Sequence, residues 1–330
     1  MKIKVLGAGS WGTALAITLF NNGHDVNLWS RQAEQVAALI AKRENAAYLP
    51  GIKIPDGIII SNNLADISEY EMVVLSVPSN AVREVCQKIK PYIRFETVIV
   101  NTAKGFELGT LERLSAVIQS ELPCPVVVLS GPSHAEEVAR QLTTTVVAAG
   151  KDMKYNCLVQ DAFMNKFLRV YTNADLVGVE IGGAVKNIIA IGAGILEGLE
   201  LGDNVQASLI TRGLAEITRL GTAMGAELHT FSGLAGLGDL IVTCGSMHSR
   251  NHRAGIEIGR GISVEKVLHD MGMVVEGFYA TESTYALAEK YHVDLPITIQ
   301  MYRVLYEGLA PSVAIDNLMG RDKKNEIEII

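Results

Sequence analysis

Hydrophobic positions in the first half of the chain come in short runs, each closed by glycine, proline or a polar turn. Runs at 3–6, 25–30, 58–60, 72–77, 97–100, 126–129, 143–149 and 167–172 have the length and β-branched content of strands. Stretches of helical period lie between them at 13–22, 32–42 and 81–89, and a proline- and glycine-bearing loop is expected at 45–57. Strands alternating with helices predict a mostly parallel sheet covered on both faces. Past about residue 180 the strands stop. Residues 188–191 form an apolar run among glycines, which suggests a tightly packed helix that another helix or a ligand can approach closely. Helical patterns recur at 205–224, 228–243, 263–271, 280–290 and 297–307. With no internal repeat or low-complexity linker, two domains are expected, 1–180 and 181–330.

The first run leads into Gly7-Ala8-Gly9-Ser10-Trp11-Gly12, and a helical pattern follows. In GxGxxG spacing the first glycine permits the tight turn, the second admits a pyrophosphate, and the third lets helix pack on strand. The helix N-terminus then offers unpaired N–H groups to the phosphates. Gly7, Gly9 and Gly12 therefore point to a dinucleotide site. An acid at the end of the second strand would hold the ribose 2′-hydroxyl of NAD. Ser30-Arg31 stands there instead and suits a 2′-phosphate, favouring NADPH with NADH still admissible. Ligands of open parallel sheets sit beyond the carboxyl ends of strands, where loops 76–80, 101–106 and 130–135 would lie. Lys104 falls in the second of these loops. Ser133 and Glu136 have capping-box spacing, and His134 reads as a surface or capping residue.

Composition narrows the function classes. The chain has 330 residues, 48% hydrophobic and 20% charged, as in ordinary globular proteins. Its net charge of −7 argues against nucleic-acid or anionic-membrane surfaces but allows a local basic pocket. Four scattered cysteines without a CxxC pair suit a reducing compartment and suggest no metal. The basic start followed by an apolar stretch imitates a signal peptide, but Gly7, Gly9, Ser10 and Gly12 suit a turn and not a hydrophobic helix. Charges interrupt every apolar run before it reaches membrane-spanning length, so a cytoplasmic protein is expected.

In the second half, Lys186 lies among small and apolar residues, where an ionised group is costly unless it sits in a site or at an exit to water. Asp239 and Thr243 are four apart and would share a helical face, although Asp239 after Gly238 also fits a helix cap. Residues 249–255, with Ser249, Arg250, Asn251 and Arg253, read as a loop whose arginine forks suit phosphate oxygens. Glu276 follows an apolar pair and precedes a turn.

GAGSWGTALA at 7–16, NTAKGFE at 101–107, SGPSHAEEVA at 130–139, GGAVKNIIAI at 182–191, GLAGLGDL at 233–240, SRNHRAG at 249–255 and VVEG at 274–277 together resemble the bacterial NAD(P)-dependent sn-glycerol-3-phosphate dehydrogenase family. The resemblance covers essentially the whole chain. It implies an α/β Rossmann-type N-terminal domain plus an all-α C-terminal domain like that of 6-phosphogluconate dehydrogenase. It also implies reversible reduction of dihydroxyacetone phosphate to sn-glycerol 3-phosphate, supplying phospholipid synthesis. Matched position by position, Ser10, Trp11, Arg31, Ala135, Val274 and Glu276 would contact the nucleotide, with Lys104 and Arg250 also near it. Lys104, Gly131, Ser133, Asp239, Ser249, Arg250 and Asn251 would hold the substrate, and Lys186 would accept the proton. Asn187 and Thr243 adjoin these positions. A small-molecule substrate, no nucleic acid, no metal, no membrane span and room for a homodimer complete the expectations.

Overall fold

The computed structural model describes residues 1–323 together with 325 and 326. Contacts divide the chain into two compact units. One comprises Met1–Lys104 and Glu112–Leu176; the other comprises Gly105–Leu111 and Val177 onward.

The first unit runs β1 (Lys2–Leu6), α1 (Ser10–Asn21), β2 (Asp25–Trp29), α2 (Ala33–Lys42), β3 (Glu44–Asn45), β4 (Leu49–Lys53), β5 (Ile59–Ser61), β6 (Met72–Leu75) and α3 (Val82–Ile89). It continues through β7 (Val98–Asn101), α4 (Leu114–Glu121), β8 (Val126–Ser130), α5 (Ala135–Ala139), β9 (Thr144–Ala149), α6 (Met153–Phe163) and β10 (Leu168–Asn173). All but β3 and β4 form one sheet in the order β10-β9-β8-β7-β6-β1-β2-β5. β6, β7 and β8 are buried along their whole length, as continuous apolar runs covered on both faces should be.

From β5 across to β8 every pairing is parallel, and the order reverses between β1 and β6, the switch point where open sheets bind ligands. The expected parallel run breaks at β9, which pairs antiparallel to β8, with β10 parallel to β9. The connection explains it. A parallel return needs a crossover that spans the strand, and the five residues of α5 rise only about 7 Å. The chain therefore re-enters from the end it left.

Two further departures lie in this unit. The segment expected as a loop at 45–57 begins as a β3–β4 hairpin, held in place by Leu49, which packs with Ala14, Ala135 and Val138. Lys4, a charged residue in an apolar strand, is fully buried in β1. Its Nζ pairs with Asp66 and lies 4.9 Å from the centre of the Tyr70 ring. The Tyr70 hydroxyl accepts from Asn27 at 2.9 Å, and Ser61 donates to Asn27 at 2.9 Å. A buried charge is tolerated when it is paired within such a network.

The second unit is helical, with α7 (Leu176–Gly198), α8 (Asp203–Ala223), α9 (Asp239–Gly245), α10 (Arg250–Gly259), α11 (Val264–Met271), α12 (Glu276–Tyr291), α13 (Pro296–Tyr306) and α14 (Pro311–Met319). Helix α7 is the hub, buried without interruption from Gly178 to Leu196. It is long and apolar enough to cross a membrane, but its apolar window is entirely covered by protein.

Its glycines do what their spacing suggested. A Cβ on Gly194 would lie 2.0 Å from the His252 carbonyl oxygen, and one on Gly255 2.1 Å from that of Ile191. Gly198 and Gly259 repeat this reciprocal contact one turn on, so α7 and α10 meet backbone to backbone. The single helix expected at 228–243 is instead a 3₁₀ turn (Leu228–Ser232), a π-helical turn (Leu234–Gly238) and α9. Gly233, Gly236 and Gly238 weaken the α-helix there, and Gly236 is pressed against the Phe231 backbone.

Candidate active site

The glycine turn separates three reasons for glycine. Gly7 has φ +115°, and a Cβ would lie 2.4 Å from the Ser76 oxygen, so it serves the turn and the contact between the ends of β1 and β6. Gly12 would drive a Cβ to 1.9 Å from the Gly7 oxygen and therefore serves helix-on-strand packing. Gly9 has an ordinary φ of −80°, and a Cβ would meet nothing within 4 Å. Neither conformation nor protein packing requires a glycine there. The open space before the N-terminus of α1 fits a dinucleotide pyrophosphate, and Ser10 and Trp11 form the first residues of that helix.

At the end of β2, Ser30 is turned inward at 4% exposure. Its hydroxyl donates to Gln35 Oε1 and accepts the Gln32 N–H at 3.3 Å. Arg31 is exposed, so of the Ser30-Arg31 pair it is the guanidinium that reaches outward.

The loops after β7 and β8 meet through one carbonyl. Lys104 Nζ donates to the Gly131 oxygen at 3.2 Å, and the Ser133 hydroxyl donates to the same oxygen at 2.9 Å. Gly131 has φ +130°, and a Cβ would lie 3.1 Å from Val146 Cα, so glycine is required there. The capping box expected of Ser133 and Glu136 does not form. Ser133 is held back by Gly131, and His134 takes the N-cap position of α5 without a side-chain cap bond. Ala135 opens α5 and is buried beside Ala14 and Leu49.

In the helical unit, Lys186 is 5% exposed, Asp239 1% and Thr243 4%. Lys186 Nζ donates to Asp239 Oδ1 and, at 2.7 Å, to Thr243 Oγ1. The Thr243 hydroxyl hydrogen goes to the Asp239 backbone carbonyl, which presents the oxygen's lone pair to the ammonium. The π turn sets this register. A Cβ on Gly182, one turn before Lys186, would lie 2.5 Å from the Ala235 oxygen, so α7 and the π turn are in backbone contact. Asp239 begins α9 directly after that turn. π turns recur where a helix must re-aim side chains for function. The neighbouring Cys244 thiol is pushed up to about 12 by burial, a measure of how dry the cluster's floor is.

Ser249, Arg250 and Asn251, expected in a loop, form the N-terminus of α10. Ser249 is the N-cap and accepts the His252 N–H at 3.2 Å. Arg250 Nη1 donates to the Val274 carbonyl at 2.7 Å. Asn251 donates to Asn187 Oδ1 at 2.8 Å and accepts the Gly277 N–H at 2.9 Å. These bonds tie α10 to α7 and to the start of α12, where Glu276 is the first residue. A helix N-terminus with an arginine in its first turn suits a phosphate.

Sequence reasoning missed three features. The Asn187–Asn251 link joins two residues 64 positions apart. His252, buried at 1% exposure, faces Glu197 at 3.0 Å and the Ser246 carbonyl at 3.3 Å. The amides of Gln35 and Asn45 both reach the carbonyl of Ala8. None carries a local signal, because each partner is set by the fold. Among the described residues no group of His, Cys, Asp and Glu could hold a metal ion.

Comparison with known proteins points one way. Residues 2–156 match the family described as NAD-dependent glycerol-3-phosphate dehydrogenase N-terminus, and residues 175–316 match its C-terminus counterpart. A glycerol-3-phosphate dehydrogenase (NAD(P)+) of Desulfitobacterium hafniense is 53% identical over 328 residues, covering 99% of this chain and 93% of that protein. One from Bacillus thuringiensis is 52% identical over 334 residues, covering 100% and 98%. The crystal structure of glycerol-3-phosphate dehydrogenase from Coxiella burnetii superposes with a TM-score of 0.94 at 40% identity, covering 97% of this chain and 99% of that one.

Proposed function

This chain belongs to the NAD-dependent glycerol-3-phosphate dehydrogenase family, and from that premise we propose that it reduces dihydroxyacetone phosphate to sn-glycerol 3-phosphate with Lys186 as the proton donor. The observation that carries the reading is the buried Lys186–Asp239–Thr243 cluster. The glycine turn of Gly7, Gly9 and Gly12, with the N-terminus of α1, would hold a nicotinamide dinucleotide, which would supply the hydride that reduction of the ketone needs. The residues of the chain supply the rest. Asp239 and Thr243 fix the direction of Lys186 Nζ, which polarises the ketone oxygen and passes it a proton as the alcohol forms. In the reverse direction neutral Lys186 takes the hydroxyl proton.

Arg250, Asn251 and the N-terminus of α10 bind the substrate phosphate, with Ser249 holding that helix end in place. Gripping this remote group orients the carbonyl, which is where binding energy raises rate. Within the sheet unit, Lys104, Gly131 and Ser133 are the residues assigned to the substrate. Ser10, Trp11 and Ala135 of the sheet unit contact the dinucleotide, exposed Arg31 takes the 2′-phosphate of NADPH, and Val274 and Glu276 are the helical unit's candidates for the same cofactor. The product feeds phospholipid synthesis.

The test is NADPH oxidation on adding dihydroxyacetone phosphate, with NADH in parallel. The expected result is turnover with both and a higher kcat/KM for NADPH. Turnover only with phosphate-free 3-keto acids would overturn the reading.

A further inference from the structure

The Ala8–Gly9 peptide is the middle of the glycine turn, and its orientation decides which polar group faces the phosphates. Were the Ala8 carbonyl to turn toward the open space before Gly9, it would repel a pyrophosphate. In the structure that carbonyl accepts two side-chain amides, Gln35 Nε2 at 2.9 Å and Asn45 Nδ2 at 3.0 Å. Asn45 is 3% exposed and also donates to Thr13 Oγ1 at 2.8 Å, anchoring it to the first turn of α1. Gln35 is fixed from behind, because its Oε1 accepts the Ser30 hydroxyl. The two amides come from different elements, α2 and β3, and converge on one oxygen.

We propose that Gln35 and Asn45 are positioning residues for the dinucleotide: they peg the Ala8 carbonyl away from the pyrophosphate. The peptide is planar and trans, so pegging its oxygen to one side directs the Gly9 N–H to the other. The turn is thereby preorganised before cofactor arrives, and preorganisation raises affinity by removing an ordering cost at binding. The same amides give the β3–β4 hairpin a role, since it carries Asn45 to the turn. Gln35 further links the turn to Ser30 at the strand end that precedes Arg31.

This inference rests on the reading of the glycine turn as the pyrophosphate cradle, and the experiment separates the two. Gln35→Glu and Asn45→Asp keep side-chain volume but replace the donors with acceptors that face the carbonyl. NADPH and NADH dissociation constants are measured by fluorescence titration of each full-length variant, with kcat at saturating cofactor and a thermal melt. Each variant is expected to weaken both dinucleotides about tenfold, with kcat at saturation within about twofold of wild type. The double variant should lose less than the product of the single losses, because both residues act on one oxygen. Gln35 is only partly buried, so Gln35→Leu serves if Asn45→Asp does not fold.

Unchanged affinities in a variant that melts like wild type would overturn the proposal, as would a fall in kcat with unchanged affinities. Gly9→Val is the control for the underlying reading. If it abolishes dinucleotide binding while the amide variants bind normally, only the positioning role falls. If it too binds normally, the cradle itself is misassigned.

Discussion

Thr243 spends its hydroxyl hydrogen on the Asp239 carbonyl and so can only accept from Lys186. It is thus the group that fixes the lysine's direction without adding charge. Thr243→Val removes the acceptor at nearly constant volume. A hydrogen bond to a charged group is worth about 1.5–3 kcal/mol, so kcat with dihydroxyacetone phosphate should fall on the order of ten- to a hundredfold. Steady-state kinetics check this, with the NADPH dissociation constant expected to stay at its wild-type value. The prominence of Lys186 was legible in sequence because a cation in a small, apolar stretch is conspicuous. Lys4 satisfied the same criterion, yet its role is structural. What separates the two is the partner. Asp66 closes Lys4 into a network inside the sheet, whereas Lys186 sits beside a π turn that aims Asp239 at it. Neither pairing is visible along the chain, at separations of 62 and 53 residues.

Among the elements, α13 is held by another helix. The Glu216 carboxylate of α8 accepts the Ile297 and Thr298 N–H groups and the Thr298 hydroxyl at the N-terminus of α13. Burial nevertheless pushes its pKa up to about 7 from an ordinary 4.5, outweighing those bonds. The folded protein therefore keeps a proton that the unfolded chain releases. The stability this proton contributes is full below pH 4.5 and is lost as pH rises through about 7. At ~1.4 kcal/mol per pH unit the swing is on the order of 3 kcal/mol. Glu216→Gln keeps an acceptor oxygen and removes the titration. Melting curves at pH 5 and pH 8 should show a smaller drop in Tm for the variant than for wild type; parallel drops would contradict the assignment.

Element types were mostly legible from period, but breaks and starts were not. The 228–243 stretch has a continuous apolar period; Gly233, Gly236 and Gly238 weaken it as one helix, and the packing of Gly182 and Gly236 against neighbouring backbone sets where it breaks. Residues 249–255 looked like a loop because their charges hide the period. Ser249 before a run with Ala254 and Gly255 was the available N-cap signal.

Over the whole molecule, the chain divides less simply than its change of pattern suggests. The segment Gly105–Leu111 leaves β7 of the sheet unit and joins the helical unit. Its Phe106 is 2% exposed, within the core built around α7. Phe106→Ala should cost about 3–5 kcal/mol in the helical unit. Hydrogen exchange should then quicken in α7 and α12 while β1, β6 and β7 keep their protection; equal quickening in both would show the units to unfold together. The parallel half of the sheet and the helical second half were legible, because strand runs and helical periods are local. The excursion at 105–111 was not, because nothing in a seven-residue loop says which core its aromatic ring will enter.

The reaction asks the dinucleotide for a hydride and the helical unit for a proton, and Lys186 is the group assigned to the proton. The most direct measurement is the rate of NADPH oxidation by Lys186→Met at saturating dihydroxyacetone phosphate, alongside its NADPH dissociation constant. Loss of a positioned proton donor should lower the rate by about 10²–10⁴-fold while leaving NADPH affinity within about twofold. A variant that binds NADPH normally and turns over within about tenfold of wild type would contradict the account.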